Sequence, residues 1–415
     1  MAANLNAGSD SILLGAGTFV LSFAGADETD GVTGDLNIKD AVLVQGAGQN
    51  LTIIDAEGEG GLDDRVLQIA TGILAQINDL TIRGGFCPFR GGGVLTSGNV
   101  TMNRVTVTDN ETLAWGGGIA AEGTLNLLDS IVSNNTAPRA GGIDSNGILV
   151  MEDSQVVGND AIGGLGNGGG GLLLFNGNTT IRRSVIEGNS AFDLPGGGLY
   201  VYQGVLVIED SSIVGNEDDL SAGGAGGIYN EGGDIDLINT TLAHNSSPFL
   251  GALYNNDGDV HFTNATIIRN MGLQTLGGLF NMTTLRDSVY DGDCGGNVTY
   301  VSEGGNVFAS GISCGATIDD MAGVGDLLLS QVGNYGGSTP TAVPFAYSAV
   351  LDAARTCPPP DFDQRGLPRP VVAETAGALS GCDAGAVEAQ SDELDTLFFD
   401  SFESGDVARW SAAVP

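Results

Sequence analysis

Apolar side chains recur along this chain at two spacings. They alternate within short stretches, and the stretches return at intervals of 24 to 30 residues when aligned on Asn110, Asn135, Asn159, Asn189, Asn216, Asn245 and Asn270. Three positions before these asparagines stand Val107, Val132, Val156, Ile186, Ile213, Leu242 and Ile267. Eight positions before stand Met102, Leu127, Met151, Ile181, Ile208, Leu237 and Phe262, and ten before mostly further aliphatics such as Leu125, Leu149 and Leu206. A spacing of two places side chains on one face of a strand. The position five before is mostly small (Ser130, Ser154, Ser184, Ser211, Thr240), so the inward phase slips and a bend is expected six or seven residues before each asparagine.

Glycine clusters follow most of the asparagines, as at Gly116–Gly118, Gly141–Gly142, Gly168–Gly171 and Gly196–Gly198, and each leads into one more apolar stretch. Glycine supplies positive φ and close approach at sharp corners. A unit this short cannot bury its own apolar face, whereas stacked units can. Glycine and β-branched residues where a helix needs strong formers exclude helical repeats. The expected fold is all-β, a single-stranded parallel β-helix of the usual right-handed kind. About a dozen rungs spaced by ~4.8 Å predict a rod of roughly 60 Å. The repeat organises residues 1–296; 297–390 are expected to carry further rungs and a cap over the last open one, and 391–415 a short acidic tail.

Charge narrows the partners. Acidic residues number 51 against 14 basic ones, for a formal charge of −37, with Lys39 the one lysine. Such a surface repels phosphate backbones and excludes nucleic-acid binding. No run of eighteen apolar residues spans a membrane, and the residues after Met1 lack the pattern of a signal peptide. A monomer is expected. Cys294 with Cys314 and Cys357 with Cys382 would close loops of similar size, fitting an oxidising extracellular setting and leaving Cys87 over.

Three sets of residues are candidates for chemistry. The asparagine column reads as a structural hydrogen-bonding ladder. Six positions before it, Asp129, Asp153 and Asp210 with Arg183 would line an outer edge, where carboxylates could hold calcium or act as acid and base on a sugar, although the arginines suggest charge compensation. Calcium is the one cofactor left open, without assigned ligands. Tyr200, Tyr202, Tyr229 and Tyr254, with Phe280, form an aromatic stripe that could stack on sugar rings or pack inside the solenoid. The triplet of glycine, serine and glycine around Ser313 has no histidine downstream and is read as accidental. His244 and His261 lack a zincin arrangement and are expected on the surface.

The recurrent triple glycine followed by Asp-Ser and an asparagine resembles the repeats of chlamydial polymorphic outer-membrane proteins and related bacterial surface β-helices. Asp363-Gln364-Arg365-Gly366-Leu367-Pro368-Arg369-Pro370, followed by Cys382-Asp383-Ala384-Gly385-Ala386-Val387-Glu388, resembles the end of choice-of-anchor Q domain proteins. Asn4 to Leu21 is similar to the stretch immediately after the Cys-Ser-Leu-Arg-Glu-Ala segment of that family. Leu397 to Trp410 is similar to a tail of secreted proteobacterial proteins. The resemblance implies export and life at a cell surface, and no catalytic residues.

The expected function is therefore a secreted or cell-surface, non-catalytic β-helix that binds an extracellular polysaccharide or matrix. The alternative is a polysaccharide lyase or glycoside hydrolase of the pectate-lyase-like type. The scarcity of lysine and the negative charge weigh against it, since such enzymes handle anionic polymers.

Overall fold

The computed structural model describes residues 10–22, 25, 33–163, 166, 168–220, 223–311, 314–358, 360–370, 381–390 and 393, without the side chain of Phe280. Ser313, all the residues before Asp10 and the tail that carries Leu397 to Trp410 lie outside them. One turn shows the plan. Strands Thr124–Leu128, Ile131–Ser133 and Ile143–Ser145 form three faces, and the two-residue Thr136–Ala137 adds a minor fourth. One turn later the faces are Ile148–Glu152, Gln155–Val157 and Leu172–Phe175. Leu125 pairs with Leu149, Val132 with Val156 and Ile143 with Leu172, all in parallel. The fold is a parallel β-solenoid of about nine turns. That is short of a dozen because early strands such as Val42–Gln45, Thr52–Asp55 and Leu67–Ile69 are the three faces of a single turn and not separate rungs.

The alternation read from the sequence fills the lumen. Val100, Met102, Leu125, Leu149, Met151, Leu206 and Ile208 are fully buried in one core that extends to Phe308. The bend between the first two faces falls on the residue six before the asparagine. Arg104, Asp129, Asp153, Arg183, Asp210, Asn239, Asn264 and Asp287 all have φ between 45° and 52°. Asp and Asn tolerate this left-handed region better than other non-glycine residues, which accounts for their abundance in the column. A second left-handed corner immediately precedes the asparagines, at Asp109, Asn134, His244 and Arg269 among others. His244 is exposed there. Beyond the corner, Gly117 passes so close to the next turn that a Cβ would lie 2.5 Å from the Gly141 carbonyl oxygen.

Each asparagine binds its successor. Asn135 Nδ2 donates to Asn159 Oδ1 at 2.9 Å and the Asn135 backbone N–H donates to the same oxygen at 3.0 Å. The pattern repeats from Asn110 through Asn159, Asn189, Asn216 and Asn245 to Asn270. The small residues five positions earlier form a second ladder: the backbone N–H groups of Val105, Ser130, Ser154 and Ser184 donate to the hydroxyls of Ser130, Ser154, Ser184 and Ser211. These bonds satisfy corner N–H groups that would otherwise be buried without partners.

The C-terminal part covers both an end and a flank of the solenoid. Tyr300, Cys314 and Ala316 pack against the end of the main core, with Cys314 bonded to Cys294. The remainder runs back along the flank instead of across the end. There Leu327, Ala342, Val350, Ala353 and Ala384 cover the outward side chains Val185, Val214, Ala243, Ile268, Val289 and Val307. The Asp-Gln-Arg-Gly segment is its buried knot. Asp363 accepts from the backbone of Arg365 and Glu388 and from the Arg365 guanidinium, while Arg369 binds Glu388 and the carbonyls of Asp383 and Gly385. Cys357 is bonded to Cys382, and Cys87 is a buried thiol.

Candidate functional site

The column at the first corner does not assemble a reaction centre. Asp129 and Asp153 are exposed. Arg183 Nη2 lies 2.9 Å from Asp153 Oδ2 and also contacts Glu152, so its charge is matched within the column. Further along, the column disappears beneath the C-terminal strap. Asp210 accepts from Asn239, whose Nδ2 also donates to the Phe362 carbonyl, and Asp287 accepts from the backbone N–H of Arg355. Burial raises the Asp210 and Asp287 carboxyls above the usual range.

The tyrosine stripe is also placed differently from a sugar platform. Tyr200 and Tyr254 are buried, and Tyr202 and Tyr229 half-buried. They point outward from the third face but lie on one another. The Tyr200 and Tyr229 rings are 5.0 Å apart, those of Tyr229 and Tyr254 4.9 Å, and Phe175 stacks on Tyr202 at 4.4 Å. Stacked parallel strands set this separation, and the Tyr200 hydroxyl donates to Glu231. Both faces of Tyr229 are covered by its neighbours' rings, and Tyr200, Tyr202 and Tyr254 each stack through one.

The same side carries a different constellation, centred three turns before Tyr200. Trp115 lies between arginines of the preceding and following turns, with Arg90 Cζ 5.3 Å and Arg139 Cζ 5.1 Å from its ring. The in-register pairing of Trp115 with Arg139 produces the stack. Beside it is a depression of about 320 Å³ lined by the three, with Asp144, Asn146, Gly166, Leu173 and Phe175. Leu173 and Phe175 give an apolar floor that continues into Tyr202. Asp144 is buried at the wall, where Arg90 reaches its Oδ2 through Nη2 at 2.5 Å and Nε at 3.2 Å. Arg90 Nη1 also holds Glu122 at 2.8 Å. Burial raises the Asp144 carboxyl and Arg90 partly opposes the rise. Trp115 remains 40% exposed at the mouth. Gly166, at φ 121°, lies against the Arg139 guanidinium where a Cβ would collide.

The asparagine alignment misses this site because the loops after the asparagines vary in length. Aligning the glycine clusters instead superposes Arg90-Gly91, Trp115-Gly116 and Arg139-Ala140, and places Asp144 above Leu173 and Tyr200.

Among the described residues, no cluster of three or more His, Cys, Asp or Glu side chains is arranged to hold a metal ion. No helix among them is long and apolar enough to cross a membrane. No family model matches the chain, and the searches of curated proteins and of solved structures return no match.

Proposed function

We propose that this chain is an extracellular, non-catalytic β-helix that binds a glycan in the groove of its third face. One observation carries the reading: an exposed tryptophan edge, two guanidinium groups and an apolar aromatic floor converge on one depression. Sugar rings need this combination of a flat apolar surface and fixed polar groups. The two disulfides fit an oxidising setting. The resemblance to choice-of-anchor Q proteins supports a cell-surface life, and the regular rod suits presentation of such a groove away from its anchorage.

Cleavage is the second reading, favoured by Asp144, whose buried carboxyl holds its proton above the ordinary range close to Glu122. The test is a polysaccharide panel, with bound protein and released oligosaccharides measured in the same samples. Binding without products, lost in Trp115→Ala, is expected. Products that vanish in Asp144→Asn would make the protein an enzyme. Undiminished binding by Trp115→Ala would remove the groove from consideration.

A further inference from the structure

Resting on the glycan-binding reading, we infer that the ligand is a neutral, extended β-1,4-linked glycan that runs parallel to the rod axis, out of the Trp115 depression and along a ridge of outward apolar side chains.

The ridge lies on the minor fourth face. Register there pairs Cys87 with Thr112, Glu111 with Thr136, Ala137 with Ala161 and Ala161 with Ala191. Cys87, Thr112, Ala137, Ala161 and Ala191 are all buried, and the residue after each turns outward. Over five consecutive turns this outward position carries Pro88, Leu113, Pro138, Ile162 and Phe192, until Asp219 ends the run. Leu113 is 59% exposed, Ile162 53% and Phe192 62%. The backbone N–H groups of these three are spent on the turn before, and proline has none, so the ridge offers side-chain surface and no ladder bonds. Single exposed apolar residues are ordinary, whereas a contiguous row of them marks an interaction surface. The row is continuous with the depression: Trp115 stands two residues beyond Leu113, Arg139 directly follows Pro138, and the Phe192 ring lies against Gly163, close in sequence to Gly166 of the lining.

Spacing selects the polymer. Adjacent turns are about 4.8 Å apart, so the five positions span about 19 Å along the axis. A β-1,4-linked pyranose chain is a straight ribbon with flat apolar faces, and each ring advances it by close to one strand spacing. One ring can then rest on each turn, whereas an α-1,4-linked chain coils away. Charge selects further. Asp160, Asp193 and Glu217 are exposed beside the row and Glu111 is half-buried there. Their carboxylates can accept hydrogen bonds from sugar hydroxyls, but they repel acidic sugars closer than the screening length of about 8 Å at physiological salt.

The test titrates the protein with cellotriose, cellohexaose and maltohexaose, and with hydroxyethylcellulose and carboxymethylcellulose as neutral and anionic polymers. Cellohexaose is expected to bind about tenfold more tightly than cellotriose or maltohexaose, and carboxymethylcellulose more weakly than hydroxyethylcellulose. Phe192→Ala should lower the affinity for cellohexaose about fivefold, the scale of one lost aromatic contact, and shrink its advantage over cellotriose. Phe192→Trp, which keeps a flat face, should preserve that advantage. Leu113→Ser, two turns of ridge and one proline away, should reduce it as Phe192→Ala does. Both side chains are exposed, and denaturation midpoints equal to the parent's verify folding. Binding that needs Trp115 but is equal for cellotriose and cellohexaose and indifferent to Phe192→Ala would overturn this inference and leave glycan binding intact. So would a preference for maltohexaose or carboxymethylcellulose. Dimers that form with rising concentration and dissociate in Phe192→Ala would also overturn it and assign the ridge to a second copy of the chain. Failure of every oligosaccharide and polysaccharide to bind would remove both readings.

Discussion

Gln364 Nε2 donates to Ser212 Oγ at 2.9 Å across 152 residues of sequence. The same side chain donates to Thr339 and accepts from the Thr241 hydroxyl, all of them buried. The returning strap is thus tied to the solenoid through a fully enclosed amide. Gln364→Ala should lower stability by about 2–3 kcal/mol, because truncation strands several buried partners. A change under about 0.5 kcal/mol in chemical denaturation would mean that apolar contacts alone hold the strap.

The asparagine ladder makes a graded prediction. Asn159 receives two bonds from Asn135 and donates to Asn189 Oδ1 at 2.9 Å and to the Val132 carbonyl at 3.0 Å. Asn159→Ala should cost about 2–4 kcal/mol. Asn270, half-buried at the end of the column, should cost distinctly less. Equal costs at the two positions would show that the ladder's burial does not set its strength.

Opposite behaviour is expected at the first corner. Asp153→Asn breaks a half-exposed ion pair with Arg183 and should shift stability by less than about 1 kcal/mol. It should also leave glycan binding untouched, whereas Trp115→Ala abolishes it. Loss of binding in Asp153→Asn would return the function to that edge.

Stability should fall as pH rises from about 4 towards 7. Burial pushes the Asp218 carboxyl up to about 7, and burial with the neighbouring Glu388 does the same to Asp383. Such groups hold protons more tightly folded than unfolded, so their contribution is complete below the unfolded value near 4 and is lost towards neutrality. Each adds a slope of up to about 1.4 kcal/mol per pH unit within that window. Asp218→Asn should flatten denaturation midpoints measured between pH 5 and pH 8. An identical slope in the variant would exclude Asp218 as its source.

The rungs are readable in the sequence because strand periodicity and turn chemistry repeat in step: Val107, Val132 and Val156 share a position and a burial. The left-handed corner shows itself in the phase slip at the small residues. The serine ladder does not, since Ser130 and Ser154 read as merely small, and only the register shows each hydroxyl facing the preceding N–H. Tyr200 misleads because outward direction on a strand differs from exposure once rings stack and loops cover them. Arg90, Trp115 and Arg139 are hidden for a further reason: their proximity arises between turns, where no local pattern announces it. The strap's path along the flank depends on contacts such as Gln364 with Ser212, for which sequence spacing carries no signal.

The asparagine ladder has a direction. Each earlier amide donates to the later one, so a finished turn presents two N–H groups that only the next turn can satisfy. The rod therefore has a growing end and a settled end. As the chain leaves the ribosome from its N-terminus, every completed turn is a template whose vacant donors fix the register of the turn still being made. Assembly can then proceed by successive local additions, and the long separation in sequence between first and last turns never has to be closed in one step.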